Sequence, residues 1–124
     1  MGLLIKKCNK CGAMVEVLVD CHCSNCGIKC CNQNMETLKE NLEEFSKEKH
    51  LPKIEICGEN IEVSVPHTME EEHYIMWISL VTDKIVDKIF LKPNESAKAT
   101  FPYIKASKVY AYCNKHGLWS NTVE

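Results

Sequence analysis

Tyr74-Ile75-Met76-Trp77-Ile78-Ser79-Leu80-Val81 is an aromatic and β-branched run, long enough for a well-buried strand. Outward from it the apolar period is two. Upstream, Lys53-Ile54-Glu55-Ile56 alternates, Cys57-Gly58-Glu59-Asn60 reads as a turn, and Ile61-Glu62-Val63-Ser64-Val65 alternates again up to Pro66. Downstream, Ile85 to Leu91, Ala97 to Tyr103, Lys108 to Cys113 and Leu118 to Thr122 are further strand candidates. Six or seven short strands with no long helix between them predict an antiparallel sandwich or barrel.

The stretch before this β region has another composition. Nine cysteines occur in 124 residues, and seven of them lie between Cys8 and Cys31. Residues 1 to about 35 contain no Phe, Trp or Tyr and only short aliphatic runs such as Val15 to Val19. So short a segment cannot bury enough apolar surface to fold unaided, and a metal would be its staple. We therefore expect a small metal-knuckle domain over 1–36 and an autonomous domain over 37–124. Between them, Met35, Leu38, Leu42 and Phe45 have helical spacing, which predicts a short amphipathic connector.

Charge and hydropathy narrow the function. The net charge is −2, and all 15 basic residues are lysine. Without arginine or a basic surplus, a nucleic-acid partner is not expected. No apolar run approaches the ~18 residues of a membrane span, and the apolar start Leu3-Leu4-Ile5 is too short for a secretory signal. A cytoplasmic protein is the expectation. In that reducing compartment, dense cysteine more often means metal thiolates than disulfides, and the odd count agrees.

The later domain carries His50, His67, His73 and His116, with Cys113 three residues before the last. All fall at strand ends or loops, where a sandwich collects functional groups. Imidazole and thiolate together suit zinc, copper or iron rather than magnesium or calcium. Structural zinc closes at four ligands, and catalytic zinc takes three from protein. Five donors fit better a five-coordinate transition metal with one open position.

Three segments carry a resemblance. Glu48-Lys49-His50-Leu51-Pro52, His67-Thr68-Met69-Glu70-Glu71-Glu72-His73-Tyr74-Ile75 and Cys113-Asn114-Lys115-His116-Gly117-Leu118-Trp119 resemble the signature blocks of the superoxide reductases. Cys8-Asn9-Lys10-Cys11 with Cys30-Cys31 is similar to the desulforedoxin-like domain that precedes them in desulfoferrodoxins. The resemblance implies an immunoglobulin-like β-sandwich with a non-haem iron, Fe(II) or Fe(III). His50, His67, His73 and His116 would be equatorial ligands and Cys113 the axial thiolate. Glu48 matches the carboxylate that caps the oxidised iron, and Lys49 the lysine that attracts superoxide and orders water for protons. Thr68 departs from the proline common at that place. The implied activity is one-electron reduction of superoxide to hydrogen peroxide, an antioxidant function of anaerobes, with a rubredoxin-like donor and often a homodimer.

The N-terminal ligand set stays open at this stage. By resemblance Cys8, Cys11, Cys30 and Cys31 hold a second iron or a zinc. Yet the intervening loop is longer than usual and contains Cys21, His22, Cys23 and Cys26, so Cys8, Cys11, Cys23 and Cys26 form an alternative zinc-ribbon or rubredoxin-like set. His22 reads as an exposed loop residue and Cys57 as a turn residue without chemistry. Beside the reductase, two other classes fit: a pure electron-transfer protein, and a zinc-ribbon binding module.

Overall fold

The computed structural model describes residues 3–23, 27–42 and 47–124, with the side chains of Lys47 and Glu48 excepted. The chain divides into two compact units, Gly2–Lys39 and Glu40–Glu124.

In the first unit, β1 (Ile5–Lys7) pairs antiparallel with β2 (Met14–Glu16) on one side and with β5 (Glu36–Thr37) on the other. The β1–β2 turn is closed by Cys8 N–H on the Ala13 carbonyl (2.8 Å) and Gly12 N–H on the Cys8 carbonyl (2.9 Å). Gly12 has φ +82°, a conformation that glycine adopts without a Cβ penalty. A second hairpin joins β3 (Lys29–Cys30) to β4 (Gln33–Asn34). Its two central residues, Cys31 and Asn32, both have positive φ, as a type I′ turn requires. Ile5, Cys8 and Met35 are the buried apolar residues here, too few to stabilise a fold by burial alone.

The connector differs from the helix its spacing predicts. Glu36–Thr37 is a strand on the free edge of β1, and Leu38 N–H continues it by bonding the Ile5 carbonyl at 2.8 Å. Pairing with an open strand edge outweighs a helical pattern of only a few turns. Met35 is buried and Leu42 exposed, so the expected stripe does not share one face; Phe45 lies outside the described residues.

The second unit is an antiparallel β-sandwich. After one helical turn, α1 (Lys47–His50), come β6 (Lys53–Cys57), β7 (Asn60–Ser64), β8 (Ile75–Val81), β9 (Val86–Phe90), β10 (Lys98–Pro102), β11 (Lys108–Cys113) and β12 (Gly117–Thr122). One sheet has the order β10-β7-β6 and the other β12-β11-β8-β9. The chain changes sheets between β7 and β8, between β9 and β10, and again between β10 and β11, a three-on-four immunoglobulin-like arrangement. Period-two alternation points Ile61, Val63, Ala99 and Phe101 of the first sheet at Ile78, Leu80, Val109 and Ala111 of the second. Each large side chain buried there contributes roughly 1.5–3 kcal/mol.

β8 reads as an unbroken apolar run because both its faces are covered. On the outer face, Trp77 stacks on Tyr112 (centroids 5.6 Å), the Lys88 ammonium lies 4.1 Å over the Trp77 ring, and Ser79 Oγ donates to the Asp87 carbonyl. Opposite β11 the register slips: Tyr112 faces Trp77, but Cys113 faces Ile75. Met76 is thus the extra residue of a bulge, a device that re-aims side chains at a sheet's end. Cys57, expected to be inert, is an exposed thiol at the β6–β7 hairpin.

Because the sandwich has its own core, a chain truncated to Glu40–Glu124 should retain its far-UV circular dichroism and one cooperative melt. A non-cooperative melt would show that it depends on the first unit.

Candidate metal centre

Each donor is held by a different local device. His50 ends α1, is buried, and stacks on Trp119 (4.9 Å, 13° between planes). Asn121 Nδ2 donates to the Pro52 carbonyl at 2.9 Å and fixes the following chain. His67 and His73 flank the β7–β8 connection, which Glu70 and His73 close with a pair of backbone hydrogen bonds. Cys113 and His116 sit on the β11–β12 hairpin. There, three residues turn the chain and Gly117, at φ +86°, pairs with Cys113, a loop form that needs a left-handed residue at that place. Asn114 staples the two loops: its Oδ1 accepts from Tyr74 N–H (3.0 Å) and its Nδ2 donates to the Glu72 carbonyl (2.9 Å).

These devices bring five donor atoms to one place. The donor atoms of His50, His67, His73, Cys113 and His116 all lie within 4.8 Å of one another. Neighbouring rings close a cycle, with centroid separations of 4.7 Å for His50–His67, 4.5 Å for His67–His73, 4.9 Å for His73–His116 and 4.8 Å for His116–His50. His116 Nδ1 stands 3.1 Å from His50 Nε2, 3.2 Å from His73 Nε2 and 3.6 Å from Cys113 Sγ. Cys113 Sγ is 3.3 Å from His67 Nε2.

Hydrogen bonding alone cannot account for this. A neutral ring nitrogen has either one N–H or one lone pair, yet His116 Nδ1 meets three partners. A shared cation accounts for it directly. Nitrogens about 2.1 Å from one ion and at right angles would stand ~3.0 Å apart. Burial lowers the pKa of His67, as do the neighbouring imidazoles, against a raising contact from the Thr68 carbonyl. Burial also lowers that of His73, helped by His116 and Lys115. Both shifts favour the neutral, ligating form.

The site is one-sided. Cys113 is fully buried, whereas Lys49, His50, Pro66, His67, Thr68, His73 and His116 line a cleft of about 460 Å³. Lys49 is exposed at that cleft, and the side chain of Glu48 lies outside the described residues.

A second cluster occupies the first unit. The sulfurs of Cys8, Cys11, Cys30 and Cys31 lie within 4.8 Å of one another, with 3.6 Å for Cys11–Cys30 and 3.9 Å for Cys30–Cys31. Thiolates about 2.3 Å from a tetrahedral ion would be ~3.8 Å apart. The Cys11 backbone N–H, against the effect of burial, draws the Cys8 pKa down to about 6; hydrogen bonds from Cys11, Cys8 and Cys31 push that of Cys30 up to about 12. The Cys8 thiolate thus forms readily, while the Cys30 thiol beside it holds its proton. Of the alternative set, Cys23 is disulfide-bonded and Cys26 lies outside the described residues. Cys21 and His22 are exposed.

Fold and clusters define a class: a β-sandwich metalloprotein that presents four imidazoles and one thiol to a common point, with a separate four-cysteine cluster in a small unit. The comparisons agree. The family model described as desulfoferrodoxin matches residues 42–122. A desulfoferrodoxin of Nitratidesulfovibrio vulgaris is 46% identical over 120 residues, covering 93% of this chain and 92% of that protein. A superoxide reductase of Pyrococcus horikoshii is 34% identical over 112 residues, covering 70% and 97%. The crystal structure of the superoxide reductase from Treponema pallidum superposes with a TM-score of 0.74 at 24% identity, over 98% of each chain, a likeness of fold. The chain belongs to the desulfoferrodoxin family. Its two clusters are consistent with the iron sites of desulfoferrodoxin-type proteins.

The sequence argument gave no structural role to Asn114, Asn121 or the stacking of Trp119. Only the place of Asn114 between Cys113 and His116 could have singled it out. Two changes separate ligand from support. Iron-loaded Cys113→Ser should lose the visible thiolate-to-iron absorption, and a band of parental intensity would exclude Cys113 as a ligand. Asn114→Ala should keep that band but bind iron about tenfold more weakly; unchanged affinity in a chelator competition would refute the staple.

Proposed function

We propose that this chain is a superoxide reductase, using an external one-electron donor to convert superoxide and two protons to hydrogen peroxide. One observation carries the reading: four imidazoles face an open cleft while the thiol lies buried behind them. The ligands we assign are His50, His67, His73, His116 and Cys113 for a catalytic iron, and Cys8, Cys11, Cys30 and Cys31 for a second iron or zinc. Iron, when bound, supplies the transferable electron.

The protein's residues do the rest. Neutral imidazoles and a single thiolate leave a ferrous centre with a net charge of about +1, and Lys49 adds a second positive charge at the mouth. A small anion is drawn to that mouth, and the buried Cys113 leaves the cleft side for it to enter. The thiolate raises electron density at the metal. The Lys49 ammonium holds water at the cleft and relays protons to the departing peroxide. Glu48 is assigned by family resemblance alone as the carboxylate closing the oxidised site. Related proteins carry the names desulfoferrodoxin and superoxide reductase, which supports the activity. We assign a rubredoxin-like donor, a homodimer and a cytoplasmic location on the same reading.

Lys49→Ala should bind iron normally yet react with superoxide about tenfold more slowly at low ionic strength, with a flatter salt dependence. Pulse-radiolysis rates across a salt series are the measurement, and equal slopes in both proteins would remove Lys49 from the mechanism.

A further inference from the structure

Three of the four converging nitrogens are Nε2 atoms, at the tip of their rings; the fourth, from His116, is Nδ1. Nδ1 is bonded to the ring carbon that carries Cβ. Its position therefore follows the backbone closely, whereas an Nε2 can be corrected by rotating a longer side chain. His116 is also the atom common to three of the short contacts, so an error in its backbone is shared with His50, His73 and Cys113.

The backbone of His116 is held on both sides. Its N–H donates to Cys113 Sγ at 3.4 Å. Its carbonyl accepts two hydrogen bonds, from Trp119 Nε1 at 3.2 Å and from Asn41 Nδ2 at 3.0 Å. Trp119 belongs to the same hairpin, but Asn41 is 75 residues away in sequence. Asn41 is itself anchored, its own N–H bonding the Leu118 carbonyl at 2.7 Å. The preceding residue, Glu40, bridges to Leu118 in parallel register. The Glu40 carboxylate accepts from Lys108 Nζ (2.9 Å) and from Ser120 Oγ. Burial raises the Glu40 pKa, but these partners outweigh it and hold the carboxyl below its usual range. Residues 40–41 thus form a short strap whose ionic end is fixed to β11 and β12 and whose amide end reaches the ligand hairpin.

We infer that Asn41 is a positioning residue for the metal centre, setting the place of His116 Nδ1 through the His116 carbonyl. The inference rests on the reading of His116 as a ligand. Asn41 does not line the cleft, so it acts through the ligand and not on the substrate. Removing the amide leaves the carbonyl with one donor, and the hairpin gains freedom in the direction that moves Nδ1.

The test uses the full-length, iron-loaded protein. Asn41→Ala and Asn41→Asp should each raise the rate of iron loss to a chelator about tenfold and displace the ferric thiolate absorption. The aspartate, which keeps the shape but faces the carbonyl with an acceptor, should do so more strongly. Glu40→Ala, which loosens the strap's ionic end but keeps the Asn41 amide, should lower the melting temperature and move both readouts less than either Asn41 change. If the Asn41 variants keep the parental rate and band, or Glu40→Ala moves them equally, the positioning role is overturned. His116→Ala distinguishes the two levels of failure, because a variant that holds iron as firmly as the parent would refute the ligand reading itself.

Discussion

A sulfur with no solvent exposure, at the end of a core strand and beneath four imidazoles, is the constraint on which this molecule depends. A thiolate buried in an apolar core costs several kcal/mol unless something positive compensates it. His67 and His73 do not supply that charge, because burial holds both toward the neutral form. A cation at the point of convergence does. The rest of the local architecture serves to keep Cys113 there. Alternation along β11 turns it inward, the Met76 bulge adjusts the strand beside it, and the Gly117 hairpin returns His116 above it.

The same arrangement explains why the site has only one working face. Cys113 closes the core side, and the four rings open on the Lys49 side. A ligand approaching the centre must therefore arrive from the side that carries the positive charge. Charge, access and ligation thus share one side of Cys113, with Lys49 and His50 brought there by α1 and His67 and His73 by the β7–β8 connection.

Much of this was legible in the sequence, for physical reasons. A period of two survives where one face is buried, so β7 could be read directly from its alternation, whereas β11, covered on both faces, was legible only as a short strand-like run. β8 announced itself as a continuous apolar run because Trp77 and Ser79 are covered on the outer face too. The five donors could be grouped because all fall at strand ends or loops and their segments resemble the superoxide reductase signature blocks, and the structure brings all five together. The strand at Glu36–Thr37 was not legible, since apolar spacing does not report an unpaired edge elsewhere in the fold. Nor was the helical turn at His50. Which nitrogen each histidine presents, and the hydrogen bonds of Asn41, Asn114 and Asn121, depend on distances between loops remote in sequence. No local pattern encodes those.

Lys88 has a consequence beyond its contact with Trp77. β9 is an edge strand, and it exposes Val86 and Phe90 along a row of backbone groups that no other strand among the described residues pairs with. Such an edge is a template for cross-molecule strand addition and aggregation. Lys88, midway between those two residues, turns inward and lays its ammonium over the Trp77 ring. Its stem crosses the outer face between Val86 and Phe90, so a charged side chain interrupts what would otherwise be a continuous apolar strip along that edge. One lysine thus breaks the apolar strip of an edge strand, while the apolar residues on either side of it remain in contact with solvent.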